Sequence, residues 1–490
     1  MENSTTQISL RLALTPIAIL ILLLTINAIV FGDAALDGAN QFALILASSL
    51  GAAIAYQKGK SWQNIQDGFV KSISSAMPSI LILSLIGSLA GTWMISGVVP
   101  AMIYYGLEFL NPKLFLALSV IICAIVSIAS GSSWSTIATI GVALLGIGNA
   151  MGISSALVGG AVISGAYFGD KISPLSDTTN LAPAMAGVDL FTHIRYMMYT
   201  TIPSLAIALL LFLGIGFTKT GTIDPVSINE VQTAIKETFN ITPWLFLVPV
   251  FLFAIIIKKV PALPAIFWGT IIGGIFAIIF QPQIIAQVAG SSMNYTQASY
   301  HAVMQSIFSD VSIPVDNESI QDLLSTGGMA GMLNTIWLIL AAMIFSGVLE
   351  TSGILARITQ SIMKAIHSNG SLVGSTVLSC IFLNLTASDQ YISIVVTGRM
   401  FSKTYKDRNL KPEVLSRTLE DAGTVTSVLV PWNTCGAAQS AALGVATWSY
   451  LPYCFFNIIS PIMTIAVAYL NINIRRIKKE EQPSSSKIAE

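Results

Sequence analysis

The sequence predicts an all-α polytopic membrane protein made of two inverted-topology repeats, each with a re-entrant hairpin and a broken helix, and about 11–13 membrane segments in total. Three observations predict it. First, of 490 residues 54% are hydrophobic and 10% charged, with a mean hydropathy of +0.75, where a soluble domain carries roughly 25% charged residues. Second, apolar runs near the length needed to cross about 30 Å of hydrocarbon recur along the chain. They are continuous, which excludes the period-two alternation of an outer-membrane barrel. Third, the chain matches itself. "SGSSWST" (130–136) pairs with "TASDQYIS" (386–393), and "SPLSDTTN" (173–180) with "VLVPWNTC" (428–435). Ser132 and Ser388 are 256 positions apart, as are Asp177 and Asn433, while "SGVVP" (96–100) and "SGVLE" (346–350) are 250 apart.

The elements follow in order. Residues 1–56 hold two N-terminal spans, 10–31 and 41–56. The first is too long for a signal-peptide core and lacks a clear cleavage site, so it reads as a retained helix. Residues 57–217 form repeat 1, with a span at 76–97, a hairpin near 131–136, a broken helix near 169–182 and a span at 195–217. Residues 218–325 form a linker with two spans, 243–258 and 262–280, and an acidic external segment at 281–325. Residues 326–472 form repeat 2, with a span at 330–349, a hairpin near 386–393, a broken helix near 423–436 and a span at 449–472, and 473–490 is a basic tail. Regions 113–182 and 371–447 are apolar yet repeatedly interrupted by Gly, Pro, Ser, Thr and Asn, which membrane depth tolerates only where backbone is buried in protein or lines a cavity.

Lysine and arginine set the orientation. Lys58, Lys60, Lys71, Lys258, Lys259, the stretch 399–417 and the tail are basic, whereas 281–325 carries Asp310, Asp316, Glu318 and Asp322 and neither Lys nor Arg. Both termini are therefore placed in the cytoplasm. The basic stretch 399–411 corresponds to the uncharged 143–155, and the basic 58–71 to the acidic 308–321, so equivalent loops fall on opposite sides.

Composition also excludes function classes. Lys+Arg and Asp+Glu balance at 24 each, so nothing points to nucleic acid. The four cysteines lie in or beside apolar stretches, and the three histidines show no metal-ligand spacing. No GxxxxGK[ST], HExxH or GxSxG occurs, so neither ATP hydrolysis nor an enzyme activity is indicated. A repeat within one chain also argues against an ion channel. The reading is a secondary transporter, not an enzyme, without a cofactor.

The chemistry concentrates in "GDKISPLSDTTNLA" (169–182). An intramembrane carboxylate costs roughly 2.5–3.5 kcal/mol on insertion scales and usually has a function. Asp177 is the first candidate, a group able to hold a proton or a cation but not both; the competing reading is a cap on the half-helix that follows. Hydroxyl and amide oxygens around it suit a small hard cation: Thr178, Thr179, Asn180, Ser132 and Ser133 from repeat 1, and Ser388, Asp389, Asn433 and Thr434 from repeat 2. Asp177 and Asn433 are the expected Na+ ligands. Asp170, Lys171, Glu420 and Asp421 are further proton-coupling candidates. Lys171 either neutralises Asp170 or Asp177 or snorkels to an interface, and Glu420–Asp421 are either a relay or a solvated helix end. His193 reads as interfacial, and Asp389 as a site carboxylate or a surface-loop residue.

"SGSSWSTIATIG", "GAYFGDKISPLSDTTNLA", "FTHIRYMMYTTIPS" and "EDAGTVTSVLVPWNTCGAA" closely resemble the NhaC-type sodium/proton antiporter family of the ion-transporter superfamily, over about residues 10–472. The resemblance implies a multi-pass protein of the bacterial inner membrane that exports Na+ or Li+ against incoming H+ by alternating access. The family includes proteins resembling malate–lactate antiporters, so a Na+/H+-coupled organic-acid antiporter is the alternative, with a Na+-coupled amino-acid carrier as its variant. Expected partners are membrane lipid, Na+, Li+, H+ and a small organic anion; a homodimer is left open.

Overall fold

A computed structural model describes residues 8–219, 225–258, 260–290, 293–315, 321, 323–364 and 366–477. Lys259, Asp316, Glu318, Asp322 and the end of the basic tail lie outside the described residues. Nearly everything described is helical. Helices α1 (Leu10–Phe31) and α2 (Ala39–Gln57) pack on each other. The first repeat continues through α3 (Trp62–Ile95), α4 (Val98–Phe109), α5 (Phe115–Ser130), α6 (Ser133–Ala150, with a π-turn over Ile137–Gly141), α7 (Ser155–Ile172), α8 (Asp177–Ala186) and α9 (Leu190–Lys219). The connection holds α10 (Pro225–Thr238), α11 (Leu247–Ile257), α12 (Ala262–Phe280), α13 (Pro282–Ala289), α14 (Tyr295–Phe308) and an antiparallel pair, β1 (Val311–Ser312) with β2 (Ser325–Thr326). The second repeat comprises α15 (Leu333–Thr351), α16 (Ile354–Met363), α17 (Asn369–Thr386), α18 (Gln390–Asp407), α19 (Pro412–Leu419), α20 (Thr434–Leu443), α21 (Thr447–Tyr450) and α22 (Phe455–Tyr469).

Among the described residues eight helices are long and apolar enough to cross a membrane, or ten if each of two bent pairs counts as one span. The expected 11–13 counts in addition the short and broken helices around the two interruptions. The outer surface is apolar, with Leu22, Phe42, Leu81, Ile125, Leu210 and Phe267 exposed, whereas many hydroxyl, amide and charged groups are buried. That distribution suits a chain whose solvent is lipid.

The repeat is visible in where helices start and stop. Ser133–Ala150 and Gln390–Asp407 are displaced by 257 positions at both ends, as are Asp177–Ala186 and Thr434–Leu443. Helices α7 and α19, and α9 and α21, also begin 257 apart. This corrects the register of 256 read from the motifs. Gly131 and Ser388 make the same left-handed turn, at φ +68° and +57°, and Ser132 and Asp389 cap the helices that follow. Ser176, not Asp177, is the counterpart of Asn433. The "SGVVP"/"SGVLE" pairing is also corrected: Ser96–Gly97 corresponds to Ser352–Gly353, with both glycines at φ +77° opening α4 and α16. Three or four matching letters are too few to fix a register, but a left-handed residue followed by a cap is unambiguous.

Segment 281–325, expected to be an external loop, contains α13, α14 and the β pair, and α14 packs on α3. Within repeat 1 the tightest helix pair is α5 with α7. A Cβ at Gly165 would run into the carbonyl oxygen of Val120, and one at Gly169 into that of Ala124. This is the small-residue spacing by which membrane helices approach closely when no water-driven force holds them together.

Candidate functional site

Helix α7 ends at Ile172, Ser173–Ser176 are not helical, and α8 begins at Asp177. In repeat 2 a π-turn at Glu420–Thr424 and a short 3-10 turn at Ser427–Leu429 lead to a break at Val430–Asn433 before α20. Proline in each break (Pro174, Pro431) cannot donate to a helical ladder. Four helices thus begin at membrane depth, and a helix start leaves backbone N–H groups unsatisfied. Each is capped by a side chain: Ser132 accepts from Ser135 N, Ser176 from Thr179 N, Asp389 from Tyr391 N and Ile392 N, and Asn433 from Cys435 N. The caps replace the water that would otherwise be needed.

All four starts contribute to one cavity of about 660 Å³. Its polar lining includes Ser132, Ser135, Asp170, Ser176, Asp177, Thr178, Gln390, Tyr391 and Thr434. Among the described residues none of its walls is Lys, Arg or His. Asp177 is exposed to the cavity and takes no hydrogen bond or ion pair among the described residues. Asp170 is buried, and its Oδ2 accepts from Ser133 N at 3.1 Å and Ser133 Oγ at 2.6 Å. The equivalent contact in repeat 2 joins Gln390 and Ser427, whose Oγ donates to Gln390 Oε1 at 3.4 Å. The same joint is acidic in one repeat and neutral in the other. The acid of repeat 2 stands one joint away: Asp389, at the place of Ser132, accepts at 3.4 Å from the hydroxyl of Thr434, at the place of Asp177.

Behind the cavity lies a dry charged cluster. Lys171 is fully buried and pairs with Asp421, and its Nζ also donates to Ser460 Oγ at 3.0 Å. The other oxygen of Asp421 accepts from Thr200 Oγ1 at 2.9 Å. Glu420, also buried, accepts from Thr178 Oγ1 at 3.1 Å. Thr178 therefore joins the cavity to the cluster.

Several expectations change. Lys171 neither snorkels nor pairs with Asp170 or Asp177; it reaches across to repeat 2, to a partner 250 residues on. Glu420 and Asp421 are not a solvated helix end but sit on a π-turn in the interior. Ser176 rather than Asp177 is the cap of α8. Asp389 is not in a surface loop, and His193 is buried with Nδ1 2.8 Å from Ser416 Oγ. Thr179, Asn180 and Asn433 do not line the cavity. Thr179 Oγ1 donates to the carbonyls of Asp170 and Lys171, and Asn180 to those of Pro174 and Ser176, tying up the broken end. Asn433 donates to Asn384 O at 3.0 Å, joining the second break to the second hairpin. Ser388 is buried with its hydroxyl unpartnered, while its carbonyl accepts from Thr434 N.

Sequence reasoning passed over Asn384, Gln390, Tyr391, Trp134, Thr200 and Arg417. Gln390 had a signal, since it follows Asp389 in the repeat motif; Thr200 and Arg417 had none, being assembled from distant helices.

Broken helices from two related halves, meeting at an acidic, hydroxyl-lined cavity, define the architecture of a secondary transporter. Comparison with known proteins places the chain among them: the model of the Na+/H+ antiporter family matches residues 165–472. The chain belongs to this family, in its NhaC branch. It is 37% identical over 430 residues to the Na+/H+ antiporter NhaC of Bacillus subtilis, covering 87% of this chain and 91% of that one. It is 36% identical to the malate-2H+/Na+-lactate antiporter of the same organism, covering 89% and 90%. To the arginine/ornithine antiporter ArcD of Halobacterium salinarum it is 35% identical, covering 97% and 94%.

Proposed function

We propose that this protein exchanges intracellular Na+ or Li+ for external H+ by alternating access, with one cation seat at the cavity. The observation that carries the reading is the lining: two carboxylates, Asp170 and Asp177, with hydroxyls from Ser132, Thr178 and Thr434 and without a basic side chain among the described residues. Oxygen donors of this kind suit a hard monovalent cation by the same logic as for Mg2+ and Ca2+. Asp177, without a hydrogen-bond or ion-pair partner among the described residues, is the group at which a proton and the cation compete; Asp170 is held in place by Ser133. The cavity walls include Ser75, Pro78, Ser79 and Ile82 of α3 and Ile256, Val260, Pro261 and Leu263, near in sequence to Lys71 of α3 and to Lys258. By the positive-inside rule this is an inward-open state in the bacterial inner membrane, with both termini in the cytoplasm.

A second reading is supported by the volume, which is far larger than a bare ion needs, and by relatives whose names include organic substrates. With acidic walls, an amine-bearing solute matches this cavity better than a dicarboxylate does. Both readings are tested in proteoliposomes holding a pH gradient. Proton release on adding Na+ or Li+ alone is the expected result. A response that requires malate, lactate, arginine or ornithine would replace simple exchange with the organic-substrate reading.

A further inference from the structure

The cavity has a shut twin. Three of the four residues that α3 gives to its wall are Pro78, Ser79 and Ile82. Their counterparts 256 positions on, in register with Gly97 and Gly353, are Asn334, Thr335 and Leu338 of α15. All three line a second cavity of only about 40 Å³, room for about one water molecule. Its other walls include Pro431, the counterpart of Pro174, with Ala437 and Ser440 of α20. The crevice between scaffold helix and broken helix is thus wide in repeat 1 and nearly closed in repeat 2. What fills the second one is the broken helix itself. Helix α20 packs against α15. Trp432 stands where the first repeat has the cavity-lining Leu175. It is buried in one apolar cluster with Leu338 and Ala437, and its indole N–H donates to Leu385 O at 2.7 Å.

We propose that the crevice between α15 and α20 is the external passage of the cation, lined by Asn334, Thr335 and Ser440 and plugged by Trp432. This rests on the exchange reading above and says where the ion leaves. Related halves of inverted topology that hold two different shapes at once reach the opposite-facing state by trading them. The wide crevice of repeat 1 faces the cytoplasm, so its twin faces outward. Its chemistry suits a hard cation. The hydroxyls of Thr335 and Ser440 have no hydrogen-bond partner among the described residues, and no basic side chain among them lines the crevice. Asn334 donates Nδ2 to Asp37 Oδ1 at 2.9 Å, which sets an exposed carboxylate from the α1–α2 connection at the mouth. A larger recess of about 730 Å³ lies on the same side, at the far ends of α6 and α20, but no residue of either break lines it.

The full-length Thr335→Cys/Ser440→Cys variant tests this, since the four native cysteines are buried. Bridging the two positions with a short, reducible thiol cross-linker is expected to slow Na+-driven proton release in proteoliposomes by about tenfold or more, because one state is locked. Reducing the bridge restores the rate. The bridged protein still binds Na+ by calorimetry, because the wide cavity stays open. Trp432→Ala is expected to make Ser440→Cys react faster with an impermeant thiol reagent added outside, whereas Trp432→Phe keeps that reaction slow. A bridged protein that exchanges as fast as its reduced form overturns the proposal. So does a bridge that abolishes Na+ binding together with exchange, since it would be distorting the seat. Exchange stopped by a bulky maleimide on Asn149→Cys, but not by the bridge, would move the passage to the larger recess. Reduced protein that releases no protons on Na+ addition counts against the exchange reading instead, and outside labelling of Ser440→Cys still reports whether the crevice opens.

Discussion

Asp170 and Asp177 are seven residues apart and line one cavity, yet they are different kinds of group. Asp170 accepts two hydrogen bonds from Ser133 and is part of the joint between hairpin and broken helix. Asp177 lines the cavity and takes no hydrogen bond among the described residues. Replacing Asp170 by alanine strands the Ser133 donors, at a cost of about 1–3 kcal/mol, so thermal unfolding in detergent is expected to drop along with exchange. Asp177→Asn and Asp177→Ala are expected to abolish Na+-dependent proton release and leave the unfolding temperature near that of the wild type. Exchange retained in Asp177→Asn would move the seat to Asp170. Competition of proton and cation for one seat also fixes a pH dependence: the Na+ concentration for half-maximal exchange should rise with acidity. A half-maximal concentration that is flat between acid and alkaline buffers would mean separate sites for the two ions. The acids and hydroxyls at this scale were legible in the sequence because charged residues are rare in the membrane and stand out. Their partners were not. Lys171–Asp421 joins helices from opposite halves of the chain, and no local pattern encodes such a pair.

The helices and their breaks were legible for a similar reason. Proline and runs of hydroxyl residues inside apolar stretches predicted broken helices near 169–182 and 423–436, within which the breaks fall at 173–176 and 430–433, and the left-handed turns at Gly131 and Ser388 fall where the hairpins were expected. The register was missed by one residue, since caps are defined by φ and hydrogen bonds rather than by residue type: Ser, Ser, Asp and Asn fill four equivalent roles. Asn433 illustrates the consequence. It was read as a Na+ ligand from its alignment with Asp177, whereas its side chain caps α20 and bonds Asn384. Asn433→Ala is expected to cost about 0.5–2 kcal/mol through the lost cap, lowering the unfolding temperature; an unchanged temperature with weakened Na+ binding would return Asn433 to the seat. The α5–α7 contact makes a harsher element-scale prediction. Gly165→Val forces apart two backbones in direct contact, and overpacking of this kind costs typically 1–3 kcal/mol or more. A sharply reduced folded yield is the expected outcome, and wild-type yield would show that α5 and α7 separate more easily than their packing indicates.

At the scale of the molecule, the two halves share a frame but not a charge pattern. The joint that holds Asp170 in one half holds Ser427 in the other, and Asp389, the second half's acid beside that joint, caps α18. Among the described residues the cavity lining therefore holds one carboxylate without a hydrogen-bond partner, Asp177, which is why a single cation seat is expected. The orientation argument is tested by cysteine labelling from each side of the membrane: positions in 143–155 and 399–411 should react from opposite sides, and labelling from the same side would remove the inversion. Fold class was legible from composition, the recurring apolar runs and the internal match, while the helical content of 281–325 was not, because a polar stretch reads as loop until something packs against it.

The constant spacing between the halves has one more consequence. Between Ser133 and Leu190, and again between Gln390 and Thr447, each helix begins at the same distance from the last. Neither stretch has accepted a net insertion or deletion relative to the other, whereas Gly97 and Gly353, which open α4 and α16, are 256 apart, so a length difference lies between them and the helices that begin at Ser133 and Gln390. The runs from α6 to α9 and from α18 to α21 are two inserts of the same fixed length. Cutting the chain between the two runs, after α9, and producing the two pieces together should yield a working transporter, whereas adding a single residue within α6 should not.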